Sequence, residues 1–149
     1  MDKMQGGYQA LQIRLLNGRI FQKLLNKEPD AQYRSEQGKI LTILWKQELG
    51  CATATDIALA TGLANNTLTS MVKKLEEQGL VTIQPCTQDK RKKYISLTEL
   101  GWAQKAIGDR VSKELGEIFY QGFSDQEIQE FEAYQERIIS NLKAKENDM

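Results

Sequence analysis

Four consecutive cations, Lys90, Arg91, Lys92 and Lys93, follow Asp89 in this chain, and no histidine occurs anywhere in it. Cations crowded this tightly repel one another unless an anion compensates them. A DNA minor groove is such an anion, and Arg is the side chain best suited to enter it. The bland alternative is a solvated charged turn. Asp89 stands two residues before Arg91, so the two can pair and hold the guanidinium in place. The missing histidine removes the commonest general base and the commonest transition-metal ligand. Ser-His-Asp and Cys-His sites are therefore excluded, and a zinc site would need Cys51, Cys86 and carboxylates alone. No acid or lysine is spaced for catalysis. The expectation is no enzyme, no metal and no cofactor.

A second polar set lies upstream, in IALATGLANNTLTSMVKKLEEQGL. Its apolar residues Ile57, Leu68 and Met71 fall where two short helices pack on each other. Ala58 is small at their crossing, and Gly62, four residues on, supplies a turn position that prefers positive φ. This leaves Asn65, Asn66, Thr67, Thr69, Ser70, Lys73 and Lys74 outward or toward the N-terminal end of the second helix. Asn pairs bidentately with adenine, and Thr and Ser serve bases or phosphates. Lys73 and Lys74 suit phosphates. A polar face on an ordinary helical hairpin is the alternative. The basic turn directly downstream joins the two sets into a winged helix-turn-helix, and DNA-binding residues are expected at all seven positions and at Lys90, Arg91 and Lys92.

The elements that must position these residues follow from periodicity. Leu11, Leu15, Leu16, Ile20, Phe21, Leu24 and Leu25 form a wide helical stripe over residues 8–25. A break containing Pro29 follows. A second helix is expected from Ser35 to Glu48, with Ile40, Leu41, Leu44 and Trp45 inward and Gly50 as its stop. Thr55 or a neighbouring Thr caps a third helix that ends at Gly62. The fourth runs from Asn65 to Gln78, closed by Gly79. Val81–Gln84 and Tyr94–Leu97 are the two strands of the wing. Thr98 caps a fifth helix, with Leu97 and Trp102 at staple positions. Ser124 with Glu127 forms a capping box for the sixth, and Phe123 with Ile128 its staple. Gly108 and Gly116 inside the fifth helix fit either a kink or a close helix approach.

The fold class expected is mainly α with a small β-wing. One domain spans residues 1–149, its winged helix-turn-helix over 35–98 flanked by dimerisation helices over 8–26 and 99–145. A lone reader module of that size cannot bury the stripes of the long helices, so a homodimer built from the two chain ends is expected. The net charge is zero, yet Lys and Arg outnumber Asp and Glu 14 to nine through Thr98, and acids outnumber bases 11 to six beyond it. Local charge sets phosphate affinity, so neutrality is no objection to nucleic acid. No apolar run reaches the ~18–20 residues of a membrane span, and Arg14, Arg19 and Lys23 interrupt the first stripe. No signal-peptide core is visible. With two cysteines and no disulfide framework, the cytoplasm is the expected compartment.

These residues resemble the MarR family of winged-helix regulators. The family's wing signature, D-x-R, five residues, then L-T, stands here as Asp89, Arg91, Leu97 and Thr98, followed by Gly101. GLANNTLTSMVKKLEEQGLV is similar to the family's recognition helix with its L-E-x-x-G-L ending, and Gln37 with Ile40 and Leu41 is similar to its second helix. The resemblance covers residues 8–142. It implies a triangular homodimer whose recognition helices enter successive major grooves and whose wings reach the minor groove. It further implies repression at a pseudo-palindromic operator in double-stranded DNA, relieved by a small ligand or an oxidant. The chain departs from the family where Ser is common at Ala64, Arg at Ser70 and Arg near Gln84. Readout would then lean on Asn65, Asn66, Thr67 and Thr69.

Three further readings stay open at this level. Cys86 beside the wing is a candidate redox residue, because neighbouring cations lower a thiol pKa, or else a small residue at a strand end. The family's oxidant-sensing branch carries its cysteine in the first helix, where this chain has none, and Cys51 reads as a turn residue. Phe21, Tyr33, Trp45 and Trp102 are candidates for a ligand pocket, or else core. A winged helix whose basic wing meets an acidic protein is the alternative to a DNA-binding one.

Overall fold

The computed structural model describes residues 4–85, 89 and 91–149. Helix α1 (Gly6–Asn26) is followed by a short 3-10 turn (Ser35–Gln37), α2 (Gly38–Trp45), β1 (Cys51–Thr53), α3 (Ala54–Thr61), α4 (Asn65–Glu77), β2 (Val81–Pro85), β3 (Lys93–Leu97), α5 (Glu99–Ala103), α6 (Lys105–Phe119) and α7 (Asp125–Asp148). The mainly helical fold with a small wing is thus present. The chain divides into two compact units, residues 1–115 and 116–149.

In the first unit the core is built from one face of each element. Ile40, Leu41 and Leu44 of α2, Ile57 of α3, Leu68, Val72 and Leu75 of α4, and Leu80, Val81 and Ile95 around the strands are buried, with Leu24 and Leu25 from the end of α1. Their three-to-four-residue spacing in the helices is what places them on one side. Tyr33 and Trp45 pack edge to face with ring centroids 5.9 Å apart. The Trp45 indole N–H donates to the Gly101 carbonyl at 3.0 Å. Gly108 lies under that pair: a Cβ there would meet Trp45 ring carbons at 2.8 and 2.9 Å and the Tyr33 hydroxyl at 3.0 Å. Gly108 is therefore a close-approach glycine, whereas a Cβ on Gly116 would meet nothing within 4 Å. Arg110 of α6 makes two hydrogen bonds, of 3.1 and 3.0 Å, to Glu28 beyond the end of α1.

Several expectations need correction. A third strand, β1, joins the wing, and the sheet order is β1-β3-β2, all antiparallel. Cys51 is therefore a strand residue opposite Ser96, not a turn residue. Helix α2 ends at Trp45, and Gly50, with φ +66°, serves the later turn into β1. The expected fifth helix is two, α5 and α6, parted at Gln104. The cap of α3 falls within its expectation: it is Thr53, a neighbour of Thr55, whose hydroxyl accepts the Asp56 N–H at 3.1 Å.

In the second unit, Ser124 accepts the Glu127 N–H at 3.1 Å and Glu127 accepts the Ser124 N–H at 2.8 Å, the reciprocal capping box expected. Phe119, Tyr120, Phe123 and Phe131 form an aromatic cluster, with centroids between 4.8 and 6.2 Å apart. No residue of α7 is buried.

Candidate nucleic-acid interface

The reading face is produced by how α3 and α4 meet. Gly62 takes φ +76°, a left-handed conformation that a side chain would strain, and closes α3 through its N–H to Ala58 O at 2.8 Å. Leu68, Val72 and Leu75 then face the core, with Met71 packed against it. The remaining positions are turned out by geometry alone, and Asn65, Asn66, Thr67, Thr69, Ser70, Lys73 and Lys74 are all exposed. Ala64 caps α4 without a side-chain bond. Asn66 compensates by accepting the Thr67 N–H on Oδ1 at 2.9 Å, which leaves its amide NH2 unengaged with the backbone there. The Thr69 hydroxyl donates back to Asn65 O at 2.8 Å.

The far end of α4 is tied to the wing. Gly79, with φ +80°, ends the helix. Its carbonyl accepts the Thr98 hydroxyl at 2.6 Å, and the same hydroxyl oxygen accepts the Gly101 N–H at 3.0 Å to cap α5. The Thr98 N–H donates to Leu80 O at 3.1 Å. One threonine thus joins the recognition helix, the last wing strand and α5.

In the wing, Asp89 Oδ1 accepts both the Arg91 backbone N–H at 3.0 Å and Arg91 Nε at 3.1 Å, while Oδ2 accepts Arg91 Nη2 at 3.3 Å. The Arg91 side chain is nevertheless 90% exposed, so the pair aims the guanidinium without covering it. The side-chain and backbone bonds from Arg91 hold the Asp89 carboxyl below its usual range. Lys92 and Lys93 are exposed beside it. Lys90 and Cys86 lie outside the described residues.

The four aromatic candidates are distributed differently from a shared pocket wall. Tyr33 and Trp45 are core residues, and Trp102 lies against Gly50, where an added Cβ would clash with its ring at Cζ2 and Cε2. Burial, then the nearby Asp109, pushes the Tyr33 hydroxyl up to about 12, and it has no hydrogen-bond partner among the described residues. Phe21 does line a cleft, of about 600 Å3, between α1 and the start of α2. Four cations, Arg14, Arg19, Arg34 and Lys39, share its wall with a single acid, Glu36, and Gly38. Sequence reasoning treated Arg14 and Arg19 only as interruptions of an apolar stripe. Their convergence with Arg34 and Lys39 needs the turn at residues 27–37, which no local pattern encodes. Cys51 lines a second cleft of about 450 Å3 with Gln47, Asp56 and Tyr94. No cluster of metal-ligating side chains occurs among the described residues, and no described helix is long and apolar enough to cross a membrane.

Known proteins resemble this chain in part of its sequence and in its fold. Residues 34–93 match the sequence profile of the MarR family. A curated relative, the HTH-type transcriptional repressor IacR of Pseudomonas putida, is 26% identical over 102 residues, which are 68% of this chain. The aligned part spans 61% of that repressor's length. Among solved structures, AbsC, a MarR family transcriptional regulator from Streptomyces coelicolor, superposes with a TM-score of 0.83 at 20% identity, covering 97% of both chains. The S. aureus MepR–DNA complex superposes with a TM-score of 0.82 at 22% identity, covering 93% of this chain and 99% of the other. At these identities the superpositions establish the fold. The profile match covers the helix-turn-helix and the wing as far as Lys93, and over those residues this chain is similar to the MarR family.

Proposed function

We propose that this protein is a sequence-specific, double-stranded-DNA-binding transcriptional regulator that acts as a homodimeric repressor in the cytoplasm. The observation that carries the reading is the pairing of a fully exposed polar face on α4 with a wing arginine aimed by Asp89 yet open to solvent. In this reading α4 lies in a major groove, where Asn65, Asn66, Thr67 and Thr69 contact bases and Ser70, Lys73 and Lys74 contact phosphates. Arg91, with Lys90 and Lys92, reaches the adjacent minor groove.

Each compact unit also leaves an apolar face uncovered. In the first, Tyr8, Leu11, Leu15 and Leu16 of α1 are exposed, and in the second, Tyr134, Ile138, Ile139 and Leu142 of α7. Contiguous apolar surface of this kind supports a self-association interface. Two readers would then face half-sites about one helical turn, ~34 Å, apart in a pseudo-palindromic operator. The surplus of cations in the α1–α2 cleft favours an anionic small-molecule effector. Such a ligand releases DNA to the extent that it prefers a different spacing of the two readers.

The test is selection from a random duplex pool by the purified protein, then fluorescence anisotropy on the selected and a scrambled duplex across a salt series. A selected pseudo-palindrome whose preference changes in Asn66→Ala supports the reading. Equal binding to both duplexes overturns it in favour of a basic wing that meets an acidic protein.

A further inference from the structure

Three glutamine side chains form two runs of hydrogen bonds that meet at residue 32, behind the recognition helix. Gln37 accepts the Arg34 N–H on Oε1 at 2.9 Å and donates from Nε2 to Gln78 Oε1 at 2.6 Å. Gln78 donates from Nε2 to Gln32 O at 3.1 Å. The Gln32 N–H donates to Gln104 Oε1 at 2.8 Å, and Gln104 Nε2 donates to Asp30 O at 3.2 Å. Gln37 and Gln104 are 3% and 2% exposed.

Every bond in each run points the same way. The first begins at Arg34 N–H and ends at Gln32 C=O, and the second begins at Gln32 N–H and ends at Asp30 C=O, so each runs from a backbone group that can only donate to one that can only accept. Turning any one amide over would set donor against donor and acceptor against acceptor at its two contacts. The orientation of all three carboxamides is therefore imposed by the backbone at the ends, and aligned bonds polarise one another.

The positions joined are mechanically informative. Gln78 is the C-cap of α4. Gln104 is the residue at which α5 and α6 part. Residue 32 is gripped on both sides of its Cα, its N–H by Gln104 and its C=O, in the next peptide unit, by Gln78. Arg34, whose N–H starts the first run, also lines the basic cleft. We propose that Gln37, Gln78 and Gln104 are positioning residues that set the angle of the recognition helix for DNA and tie it to the α1–α2 cleft. None of the three lies on the reading face of α4. The inference rests on the DNA-binding reading above.

The experiment is a double-mutant cycle of Gln78→Met and Gln104→Met, read as affinity for a duplex that the wild-type protein has selected from a random pool. Methionine keeps roughly the volume and removes both polar functions. Each variant is expected to lose affinity for the selected duplex about five- to tenfold, with binding to scrambled duplex unchanged. The double variant is expected to lose far less than the product of the two, because either substitution already releases the one residue, Gln32, that both side chains hold. Should Gln104→Met fail to fold, Gln104→Glu replaces it, keeping the acceptor for the Gln32 N–H and losing the donor to Asp30. Losses that simply multiply, or a Gln104 variant with wild-type affinity, would overturn the proposal. So would a loss that is equal on selected and scrambled duplex, which marks general destabilisation. A wild-type protein that selects no sequence defeats the DNA-binding reading itself, a separate outcome.

Discussion

Replacing Gly108 and Gly116 by alanine, one at a time, makes the same chemical change at two sites of α6 and should move stability in opposite directions. At Gly108 the new methyl would stand 2.8 and 2.9 Å from Trp45 ring carbons, where carbon–carbon contacts relax only at ~3.5–4.0 Å. The indole cannot swing aside cheaply. It is 9% exposed, stacked edge to face on Tyr33, and anchored by its N–H to Gly101 O. Overpacking of this kind costs ~1–3 kcal/mol, and loosening the indole bond adds ~1 kcal/mol. Better helix propensity returns ~1 kcal/mol, which leaves Gly108→Ala ~2 kcal/mol less stable. At Gly116 the methyl meets nothing, so the propensity gain stands alone at ~1 kcal/mol. The two variants should therefore differ by ~3 kcal/mol, or roughly 6–12 °C in Tm for a chain of this size. Far-UV circular dichroism at one fixed protein concentration measures this, because self-association makes Tm concentration-dependent. Near-UV bands should change in Gly108→Ala only. Two variants melting within about 2 °C of each other would refute the close-packing account of Gly108.

Arg91→Ala should weaken binding to the selected duplex and lower the slope of log K against log salt by about one, as measured by anisotropy; unchanged affinity and slope would remove Arg91 from the DNA-contacting set. The Asp89 carboxyl, held down by Arg91, should titrate below the ordinary value of ~3.9 in a carbonyl-carbon NMR titration. Because its folded pKa is depressed, the stability this pair contributes is present above the unfolded value and is lost as pH falls through the folded one. Arg91→Ala should return the Asp89 midpoint to the ordinary range. Tyr33 presents the reverse sign: its folded pKa is raised to about 12, so its contribution is intact below ~10 and is lost as pH climbs through about 12. Tyr33→Phe should remove that alkaline loss without lowering stability at neutral pH, and a fall of several degrees in Tm at pH 7 would show that the hydroxyl has a role.

The elements whose signals are local were readable from sequence. Helix α4 carries its inner face at Leu68, Val72 and Leu75, and Gly62 and Gly79 punctuate both of its ends, so pattern and backbone preference agree. The Ser124–Glu127 box was equally plain, because both partners lie within one turn. What stayed hidden depends on distant partners. Strand β1 has three residues, too few for any periodicity, and it exists only because β3, over 40 residues later, offers an edge. The break at Gln104 coincides with a side chain drawn toward residues 30 and 32, a pairing more than 70 residues apart. Tyr33 illustrates the limit for aromatics: Trp45 lies on the inner face that periodicity assigned to α2, whereas Tyr33 is outside any helix and becomes core through its contacts with Trp45 and Gly108. The reading face of α4 was legible because exposure there follows from helix geometry, while the basic cleft needed a turn of the chain to assemble it.

The central place of β3 in the sheet has an implication for how such a protein can change. Ile95 is opposite Ala52 on one side and Ile83 on the other, so pairing on both edges locks the alignment of the strand. A slip of one residue would turn Ile95 out of the core against two partners at once. The tip beyond the Pro85–Lys93 pair, of which Asp89, Arg91 and Lys92 are the described residues, carries none of that alignment at those residues. Lengthening it costs only loop-closure entropy, which grows slowly with length. The wing tip is thus an exchangeable part on a fixed mount: its charge and reach can be rewritten by insertion or grafting while the helix-turn-helix behind it keeps its shape.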